Sequence, residues 1–262
     1  MSGVSGRIAV VGGSSSGLGY AVAEQLANSG ARVLMFARSK EGVAQAVDRI
    51  RAASGAEVEG IAADLTDEGA PRTVIEAAIS TFGSPEIVIA NGGGPPGMPA
   101  VAATANDLKS ASELLLLPVQ RLVELALPAM RAAGWGRFVA ITSIAVRQPQ
   151  PGLVLSNALR AAVTGYLKSI ADEVAADGIT VNTVCPGYTG TERLKVLAAG
   201  VAQRDGVTIE DVFESWSKQA PVGRLLRPQE VAAAVAFLCS EEASGITGVA
   251  LAVDGGLGRS LI

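Results

Sequence analysis

The residues with the clearest chemical meaning are the glycines of a short loop near the amino terminus. An apolar run, residues 8–11, ends there, and a pattern typical of a helix follows from Tyr20. Glycines at such a turn allow a tight bend, let backbone N–H groups approach a diphosphate, and let helix and strand pack closely. The loop therefore predicts a nucleotide-binding βαβ unit, although glycine-rich strand ends also occur as plain tight turns. Its residues are Gly12, Gly13, Ser14, Ser15, Ser16, Gly17, Leu18 and Gly19.

The sequence contains no histidine. This absence excludes a histidine-based catalytic triad, a histidine metal ligand and a histidine general base. Cys185 and Cys239 have no metal-like spacing and indicate no disulfide framework, so we expect two buried core thiols. We therefore expect no metal site, and the cysteine content is typical of a reducing cytoplasm.

Strands and helices alternate along the whole chain and supply the elements that position the glycine loop. With 262 residues, 49% hydrophobic and 18% charged, the sequence is typical of one large α/β domain over residues 1–262. Helix-length segments between the strands predict a single Rossmann-type, doubly wound and mostly parallel sheet of about seven strands, with helices on both faces. Ligands of such sheets bind at the carboxyl ends of the strands. The predicted strands lie at residues 8–11, 31–37, 58–63, 87–90, 138–141, 179–184 and 249–253.

Helical patterns occupy residues 40–54, 114–133 and 156–177, among others. Pro118 is expected to end or kink a helix in the second of these. The third has its apolar residues at spacings of three and four, which indicates one amphipathic helix. Residues 200–220, with Phe213 and Trp216 at helical spacing, are expected to form a lid helix over the pocket, within a small helical segment near 190–220. The alternative is a stripe of core residues.

Charge and hydropathy restrict the possible partners. The longest apolar runs, such as residues 231–239, are far shorter than the roughly 18 residues that a membrane span requires, and residues 1–6 are too short and polar for a signal peptide. The net charge is −4 and no long basic run occurs, which argues against nucleic acid or an anionic membrane as a partner. We therefore expect an uncleaved cytoplasmic protein that acts on a small-molecule substrate.

Six segments stand at the ends of predicted strands. They are the glycine loop, Asp64-Leu65, Ala90-Asn91-Gly92-Gly93, Ser143, Pro186-Gly187-Tyr188-Thr189-Gly190-Thr191 and Val253-Asp254-Gly255-Gly256. Together they resemble the classical short-chain dehydrogenase/reductase family, notably its 3-oxoacyl-(acyl carrier protein) reductase branch, over nearly the whole chain. The resemblance implies that the loop holds the diphosphate of a nicotinamide cofactor, that Asp64 meets adenine, and that the proline-glycine segment holds the nicotinamide. The implied cofactor-binding residues are Gly13, Ser14, Ser15, Ser16, Gly17, Leu18, Gly19, Arg38, Asp64, Leu65, Asn91, Gly92, Gly93, Arg160, Pro186, Gly187, Thr189 and Thr191.

Two of these segments depart from the family pattern. Gly12 replaces the threonine that is usual at the first loop position. Ala90-Asn91-Gly92-Gly93 departs from the usual Asn-Asn-Ala-Gly and keeps only the second asparagine. We expect both departures to be compatible with cofactor binding.

The end of the second predicted strand favours NADP(H) over NAD(H). An acidic residue there would hydrogen-bond the ribose of NAD, but this chain has Arg38. A guanidinium can bind a 2′-phosphate, and the hydroxyls of Ser14 and Ser15 are placed to add neutral donors. The alternative is that Arg38 is a solvated charge at a strand end.

The resemblance also implies a catalytic set of asparagine, serine, tyrosine and lysine, the last two spaced Tyr-x-x-x-Lys on one helical face. Ser143 matches the serine, with a plain turn residue as the alternative. Ser156 stands where the tyrosine is expected and Arg160 where the lysine belongs, and no Tyr-x-x-x-Lys occurs anywhere in the sequence. The asparagine position falls near Leu115 and is apolar as well. The predicted catalytic residues are therefore Ser143, Ser156 and Arg160.

These replacements change the chemistry that the site can perform. A phenol beside an ammonium group exchanges a proton near neutral pH, whereas a serine hydroxyl is a far weaker acid and is too short to reach the same place. Arg160 can hold the nicotinamide ribose and stabilise an oxyanion, but with a pKa above about 12 it will not relay protons. The alternative for Arg160 is a solvated helix arginine. Tyr188, beside the nicotinamide-holding segment, is the one phenol that could replace the missing acid.

Three functions remain open from the sequence. The leading hypothesis is an NADP(H)-binding, reductase-like oxidoreductase with a remodelled proton-transfer site, acting on a carbonyl substrate of the 3-oxoacyl type or a related compound. The second is a non-catalytic dinucleotide-binding sensor or partner subunit. The third is similarity to halohydrin dehalogenases, which carry arginine in place of the lysine but keep the tyrosine and fill the cofactor site with bulky residues, as this chain does not.

The surroundings of the site and the assembly can also be predicted. The proline-studded loops at residues 92–97 and 147–152 follow strand ends, so they line the substrate cleft or are plain connections. The long helix at 156–177 and the apolar last strand are surfaces on which the family pairs. A homodimer or homotetramer is therefore expected.

Overall fold

The computed structural model describes residues 3–260. The strands are β1 Ile8–Gly12, β2 Arg32–Ala37, β3 Val58–Ala62, β4 Ile87–Ala90, β5 Gly136–Ile141, β6 Ile179–Pro186 and β7 Ala250–Val253. They form one seven-stranded sheet in the order β3-β2-β1-β4-β5-β6-β7, and every strand is parallel to its neighbours. The predicted Rossmann-type parallel sheet is confirmed.

Helices cover both faces of this sheet. The α-helices of the described chain are α1 Gly17–Asn28, α2 Lys40–Ser54, α3 Ala70–Thr81, α4 Ala105–Leu115, α5 Leu117–Ala133, α6 Val154–Val174, α7 Glu192–Asp205, α8 Ile209–Gln219 and α9 Pro228–Leu238. Buried residues of α1, α2 and α9 pack on one face, and those of α3, α5 and α6 pack on the other. Because both faces are covered, every residue of β1, β4 and β5 is buried, and β1 and β4 carry no polar side chain.

The strand order changes direction at β1, whose neighbours are β2 and β4. In a doubly wound sheet, this change of direction opens a crevice outside the carboxyl ends of the strands, where ligands bind. β1 ends in the glycine loop and β4 ends immediately before Asn91. The sheet therefore places both segments at the mouth of the crevice.

Two predicted helices are divided in the structure. The pattern at 114–133 belongs to α4, which ends at Leu115, and α5, which begins at Leu117. Pro118 lies in the first turn of α5, where its missing N–H leaves no hydrogen bond unmade. The lid helix predicted at 200–220 is a pair, because Gly206 ends α7 with a φ of 69° and a capping box between Thr208 and Asp211 starts α8.

The other differences concern element ends. The helix predicted at 156–177 begins at Val154 and ends at Val174, with a short 3₁₀ helix, Ala175–Asp177, after it. β5 and β6 are longer than predicted because β5 extends back to Gly136 and β6 extends to Pro186. Within residues 3–260, no helix is long and apolar enough to cross a membrane.

Candidate active site

The glycine loop between β1 and α1 forms a cradle of backbone. Gly13 and Gly17 have φ values of 59° and 58°, in the left-handed region that favours glycine. A Cβ at Gly19 would overlap the backbone oxygens of Gly12 and Gly13, so only glycine lets the helix approach the loop this closely. The side chain of Ser16 does not cap α1, which leaves N–H groups of its first turn available to an anion. The cradle therefore fits a diphosphate.

Asn91 fastens the end of β4 to this loop. Its Nδ2 donates a hydrogen bond to the backbone oxygen of Gly12 at 3.0 Å. A Cβ at Gly12 would lie 2.5 Å from the backbone oxygen of Asn91 and 2.8 Å from Cζ of Phe36. Phe36 therefore occupies space that a threonine side chain at position 12 would need, which explains the departure from the family pattern. Leu18 packs against the core beneath α1.

The end of β2 presents an exposed cation beside the loop. Arg38 follows β2 directly and is exposed to solvent. The Cβ of Ser15 lies 3.3 Å from the place of a Cβ at Gly42, so Ser15 faces the start of α2 on the same side. The prediction for the Ser14 hydroxyl needs correction, because Ser14 is fully buried and its Oγ donates to the backbone oxygen of Phe36 at 3.2 Å. Ser14 thus joins the loop to β2, whereas Ser15 lies beside Gly42 in the first turn of α2, the helix that begins two residues after Arg38.

Asp64 and Leu65 follow β3 at the same edge. Oδ1 of Asp64 accepts hydrogen bonds from the backbone N–H and the hydroxyl of Thr66, at 3.0 and 2.9 Å. These hydrogen bonds, the backbone one foremost, and the charge of Arg38 hold the pKa of Asp64 below its ordinary value. Leu65 lies near the β4 loop, with Cδ1 4.0 Å from the place of a Cβ at Gly92. Asp64 is therefore an exposed carboxylate near Arg38 at neutral pH.

The proline-glycine segment after β6 approaches the last strand very closely. A Cβ at Gly187 would lie 2.8 Å from Cα of Asp254, so glycine is required where the two segments cross. Thr189 is 4% exposed, and its hydroxyl donates to the backbone oxygen of Gly187 at 3.1 Å. Pro186 is the buried last residue of β6. The turn is therefore rigid.

Thr191 brings this segment next to the glycine loop. Its Oγ1 accepts from the N–H of Leu194 at 3.2 Å and so caps α7. Its Cγ2 lies 3.4 Å from the place of a Cβ at Gly17. The structure thus assembles the two segments that the sequence separates by most of the chain.

Ser156 and Arg160 lie one turn apart in the first half of α6. Nε of Arg160 donates to Oγ of Ser156 at 3.1 Å, and Nη1 donates to the backbone oxygen of Ile141, the last residue of β5, at 3.1 Å. Nη2 donates to the backbone oxygen of Gly93 at 3.4 Å. The guanidinium therefore reaches from α6 to the ends of β4 and β5, and the alternative of a solvated helix arginine is wrong.

The surroundings of Arg160 change its protonation chemistry little. Burial lowers the pKa of Arg160 to about 10, and the positive charge of Arg193 adds to this effect. The value lies below the one expected from the sequence. Even so, Arg160 stays charged at neutral pH, and it acts as a fixed cation rather than a proton relay.

Both candidate serines keep a hydroxyl proton to donate. Oγ of Ser143 accepts from the N–H of Ala145 at 3.1 Å, at the start of the short 3₁₀ helix Ile144–Val146. Oγ of Ser156 accepts from Arg160 in the same way. A hydroxyl has one donor and two acceptor positions, so accepting a bond leaves its proton for another partner. The two serines can therefore act as donors toward a substrate oxygen.

A cavity of about 30 Å³ lies beside Arg160, at the place of the family's helix asparagine. Leu114 and Leu115 of α4 form part of its apolar wall, and Leu115 is 8% exposed. Asn91 and Thr142 are polar residues that also line it. Within the described chain, α4 therefore supplies no polar side chain to Arg160 through this cavity.

Tyr188 lies between α8 and the loop that follows β5. Its ring stacks on Trp216, with the ring centroids 4.7 Å apart and the planes 5° from parallel. Its hydroxyl donates to Oε1 of Gln150 at 3.3 Å, and its side chain packs against the cluster formed by Ile144, Ala220 and Leu257. Burial raises the pKa of Tyr188, so its phenol is protonated at neutral pH.

Asn157 holds the loop that carries Gln150. Oδ1 of Asn157 accepts from the N–H of Gln150 at 3.1 Å, and Nδ2 donates to the backbone oxygen of Gln150 at 3.0 Å. A parallel bridge from Met98 to Leu153 joins the two proline-studded loops predicted to line the cleft. Gln150 and Asn157 are not among the residues predicted from the sequence, because no spacing marks a side chain that binds a loop backbone.

The α7–α8 pair packs on itself and reaches the β4 loop through one arginine. Phe213 and Trp216 pack on the buried face of α7, so the core-stripe alternative describes part of their role. Nη2 of Arg193 donates to the backbone oxygen of Pro95 at 2.6 Å and lies 3.1 Å from the place of a Cβ at Gly94. Glycine at position 94 therefore leaves room for the guanidinium. Arg193 is likewise not among the residues predicted from the sequence, because the two segments are far apart in the chain.

The cysteines take no part in this arrangement. Cys185 and Cys239 are both fully buried, as predicted. Burial raises the pKa of both thiols, and that of Cys239 rises to about 12. Cys185 also lies 3.3 Å from the hydroxyl of Thr142. Neither thiol is a nucleophile at neutral pH.

Comparisons with known proteins agree with this geometry. A family model described as enoyl-(acyl carrier protein) reductase matches residues 13–258. The chain is 36% identical over 252 residues to the 3-oxoacyl-(acyl-carrier-protein) reductase FabG of Escherichia coli, covering 96% of this chain and 97% of the relative.

Solved structures show the same likeness. L-sorbose reductase from Gluconobacter frateurii, in complex with NADPH and L-sorbose, superimposes with a TM-score of 0.93 at 32% identity, covering 99% of each chain. A variant of the actinorhodin polyketide ketoreductase with NADPH has a TM-score of 0.93 at 30% identity, covering 99% of this chain and 100% of the other. The resemblance predicted from the six strand-end segments is thereby confirmed. This chain belongs to the classical short-chain dehydrogenase/reductase family, and within it resembles the 3-oxoacyl-(acyl carrier protein) reductases.

Proposed function

We propose that this protein is an NADP(H)-dependent reductase of carbonyl compounds in which Ser143, Ser156 and Arg160 take the place of the family's usual catalytic set. The observation that carries the proposal is the hydrogen bond from Arg160 to Ser156 at the carboxyl edge of the sheet. The relatives support the class of reaction, because FabG is a 3-oxoacyl reductase and the sorbose reductase was solved with NADPH and a sugar.

The residues around the crevice fit the cofactor. The glycine cradle from Gly13 to Gly19 and the first turn of α1 would hold the diphosphate, and Arg38 with Ser15 would hold the 2′-phosphate. Asp64 and Leu65 would flank adenine, while Asn91, Gly92 and Gly93 would border the adjoining ribose. The segment from Pro186 to Thr191 would hold the nicotinamide. The bound cofactor supplies a hydride to the substrate carbonyl carbon.

The protein's own residues would then stabilise the negative charge that develops on the carbonyl oxygen. The hydroxyls of Ser143 and Ser156 would donate hydrogen bonds to that oxygen, and Arg160 would polarise Ser156 by donating to its Oγ. Tyr188, a neutral phenol that packs on the cluster containing Ile144, would be the proton donor. A serine in place of the tyrosine stabilises the developing oxyanion without supplying its proton.

The remaining features are part of the same proposal. Residues 1–262 form one cofactor-binding domain, and the α7–α8 pair acts as its lid. The protein works in the cytoplasm as a homodimer or homotetramer, and static light scattering that finds only monomer would contradict the assembly.

A fluorescence titration followed by a substrate panel tests the function. Trp216 stacks on Tyr188 at the site, whereas Trp135 lies between Arg7 and Arg137. In a Trp135→Phe variant, NADPH should therefore change the fluorescence of Trp216 with a dissociation constant in the micromolar range. Oxidation of NADPH by one or more ketones or 3-oxoacyl thioesters is then expected. Failure to bind NADPH would contradict both this function and a dinucleotide sensor.

A second candidate is a non-catalytic dinucleotide-binding sensor or partner subunit. The observation that favours it is the absence of the tyrosine and lysine, with Leu115 at the asparagine position. Under this function, NADPH binds but a broad carbonyl panel gives no turnover, and the double variant Ser156→Tyr, Arg160→Lys gains turnover. A wild-type protein that is faster than the double variant would exclude it.

A further inference from the structure

Arg160 and Arg193 are two cations near the site that no carboxylate neutralises within residues 3–260. The arginine ion pairs of those residues are made by Arg7, Arg51, Arg121, Arg131, Arg137, Arg204, Arg224 and Arg227. The hydrogen bonds of Arg160 and Arg193 go instead to neutral oxygens. Within residues 3–260, their positive charges are therefore compensated only by hydroxyl and backbone oxygens.

The two guanidinium groups meet at one short piece of backbone. Arg160 comes from α6 and donates to the oxygen of Gly93, and Arg193 comes from α7 and donates to the oxygen of Pro95. The positive charge of Arg193 helps to lower the pKa of Arg160. The glycine at 94 lets the loop lie against Arg193. The β4 loop thus brings two like charges together at the mouth of the crevice.

Such an arrangement is unfavourable until an anion enters it. Like charges repel, and a desolvated guanidinium loses hydration that carbonyl groups only partly replace. Three of the five N–H groups of Arg160 are used in the hydrogen bonds described above, and one of those of Arg193. The rest remain for a ligand. A carboxylate can accept two such donors and cancel the repulsion.

We propose that Arg160 and Arg193 bind a carboxylate of the substrate, so that the protein reduces a small oxo acid rather than a neutral ketone. This inference rests on the proposed function and names its substrate class. In the reaction, the ketone carbon gains the hydride of NADPH, the ketone oxygen takes a proton from the phenol of Tyr188, which solvent then reprotonates, NADP⁺ leaves, and the carboxylate is unchanged. The hydroxyls of Ser143 and Ser156 serve the ketone oxygen while the arginines hold the other end of the molecule.

The other anion that could use these arginines is a phosphate of the cofactor. A substrate carboxylate and a cofactor phosphate are both oxyanions that arginines can bind. A change at Arg193 distinguishes them, because it affects a different measured quantity in each case. If the partner is the substrate, Arg193 controls the discrimination between a charged and a neutral ketone. If the partner is the cofactor, Arg193 controls the affinity for NADPH.

The test compares 3-oxobutanoate and 4-oxopentanoate with their methyl esters, which keep the ketone and remove the charge. For the wild type at saturating NADPH, we expect kcat/KM for the better acid to exceed that for its ester by about 100-fold. Arg193→Gln keeps a donor for Pro95 and removes the charge, so the acid-to-ester ratio should fall by about 30-fold. Arg193→Lys should retain most of the ratio.

Lys195→Gln provides the matched control. Lys195 lies on the same helix, is exposed, and pairs with Glu192, so its change in net charge equals that of Arg193→Gln. It should leave the acid-to-ester ratio within about threefold of the wild type. Equal melting temperatures of the variants would show that the comparison concerns folded protein.

Each of the remaining outcomes would overturn the proposed carboxylate site. Esters reduced as well as acids by the wild type would overturn the inference and leave the proposed function intact. An unchanged ratio in Arg193→Gln, with NADPH affinity weakened by about tenfold or more, would assign Arg193 to the cofactor and also overturn it. If no ketone is reduced, the affinities of the acid and the ester for the NADP⁺ complex are compared through the fluorescence of Trp216. Equal affinities would reject the carboxylate site. The missing turnover would count separately against the proposed function.

Discussion

At the scale of single residues, the central feature is a hydroxyl that receives a hydrogen bond from a guanidinium. Because Oγ of Ser156 accepts from Nε of Arg160, its proton is free to stabilise negative charge on a substrate oxygen. Such a donor acts mainly in the transition state, where the charge develops. Loss of this hydroxyl should therefore lower kcat more than it raises KM.

Ser156→Ala tests this role. Removing one oxyanion donor costs about 10²-fold in kcat, and we expect a loss of that order with KM changed by less than about threefold. Ser169→Ala is the matched control, since Ser169 lies on the same helix and its hydroxyl donates only to Gly165. Stopped-flow and steady-state assays measure the effect. A Ser156→Ala enzyme with unchanged kcat would remove Ser156 from the mechanism.

The buried charge of Arg160 also affects stability. The folded protein holds this proton with a pKa of about 10, below the ordinary value of an arginine. The unfolded chain therefore binds the proton more tightly, and the free energy of unfolding at neutral pH lacks a contribution that is regained only as the pH rises above about 10. At neutral pH, the charge of Arg160 therefore lowers the stability of the fold.

Arg160→Met should accordingly abolish turnover while keeping the protein stable. Replacing a buried charge by an apolar side chain of similar length is often neutral or stabilising. We expect the free energy of unfolding at pH 7, from urea titration, to rise by about 1 kcal/mol or stay the same. Arg160→Lys keeps the charge and should show no gain. A loss above about 2 kcal/mol in Arg160→Met would contradict this account.

At the scale of elements, the glycine loop depends on backbone approach that a single methyl group would prevent. A Cβ at Gly19 would overlap two backbone oxygens, and neither can move without shifting β1 or α1. Gly165 in α6 is the opposite case, because a Cβ there meets nothing within 4 Å. The two positions make a matched pair of glycine-to-alanine changes.

Gly19→Ala should weaken NADPH binding by at least about 100-fold and lower stability by about 1–3 kcal/mol. Gly165→Ala should leave NADPH binding unchanged and raise the free energy of unfolding by about 0.5–1 kcal/mol, because alanine is the better helix former. Titration with NADPH and urea unfolding measure both effects. Normal NADPH affinity in a folded Gly19→Ala variant would show that the cradle tolerates a side chain.

The elements were predictable where one physical signal dominated. A strand buried on both faces is apolar throughout, so β1, β2 and β4 stand out in the sequence. The break at Gly206 was missed, since a helix pair and one long helix share the same apolar spacing until the turn is recognised. The site was predicted where it lies on the six strand-end segments. Contacts made by side chains across the fold, such as Arg193 with Pro95, leave no local pattern.

At the scale of the whole molecule, the two edges of the sheet have separate tasks. The carboxyl edge holds the candidate active site, and a charged cluster closes the amino edge where β1 and β5 begin. There Trp135 lies between Arg7 and Arg137, with the guanidinium carbons 3.9 and 4.2 Å from its ring centroid. Arg137 is 2% exposed, and Glu241 accepts from Nε1 of Trp135 at 2.7 Å. This cluster fastens the 3₁₀ helix Glu241–Ala243 to the starts of β1 and β5.

Glu241→Gln should therefore affect stability and spare the site. The change leaves Arg137 without its carboxylate, which lies 3.6 Å away, and we expect a loss of about 1–2 kcal/mol because Glu241 is itself partly exposed. NADPH affinity should stay within about twofold of the wild type. Glu192→Gln, at an exposed pair with Lys195, is the control and should change stability little. A large effect of Glu241→Gln on NADPH affinity would show that the two edges are coupled.

The hydrogen bonds of Asn157 to both backbone groups of Gln150 affect the entropy of substrate binding. One carboxamide binds both the N–H and the C=O of Gln150. The loop therefore loses its conformational entropy when the chain folds and not when a substrate binds. A substrate arriving there finds its contacts preformed, so little ordering opposes binding. Calorimetry should then show a small entropic penalty, which Asn157→Ala would enlarge without removing any group that touches the substrate.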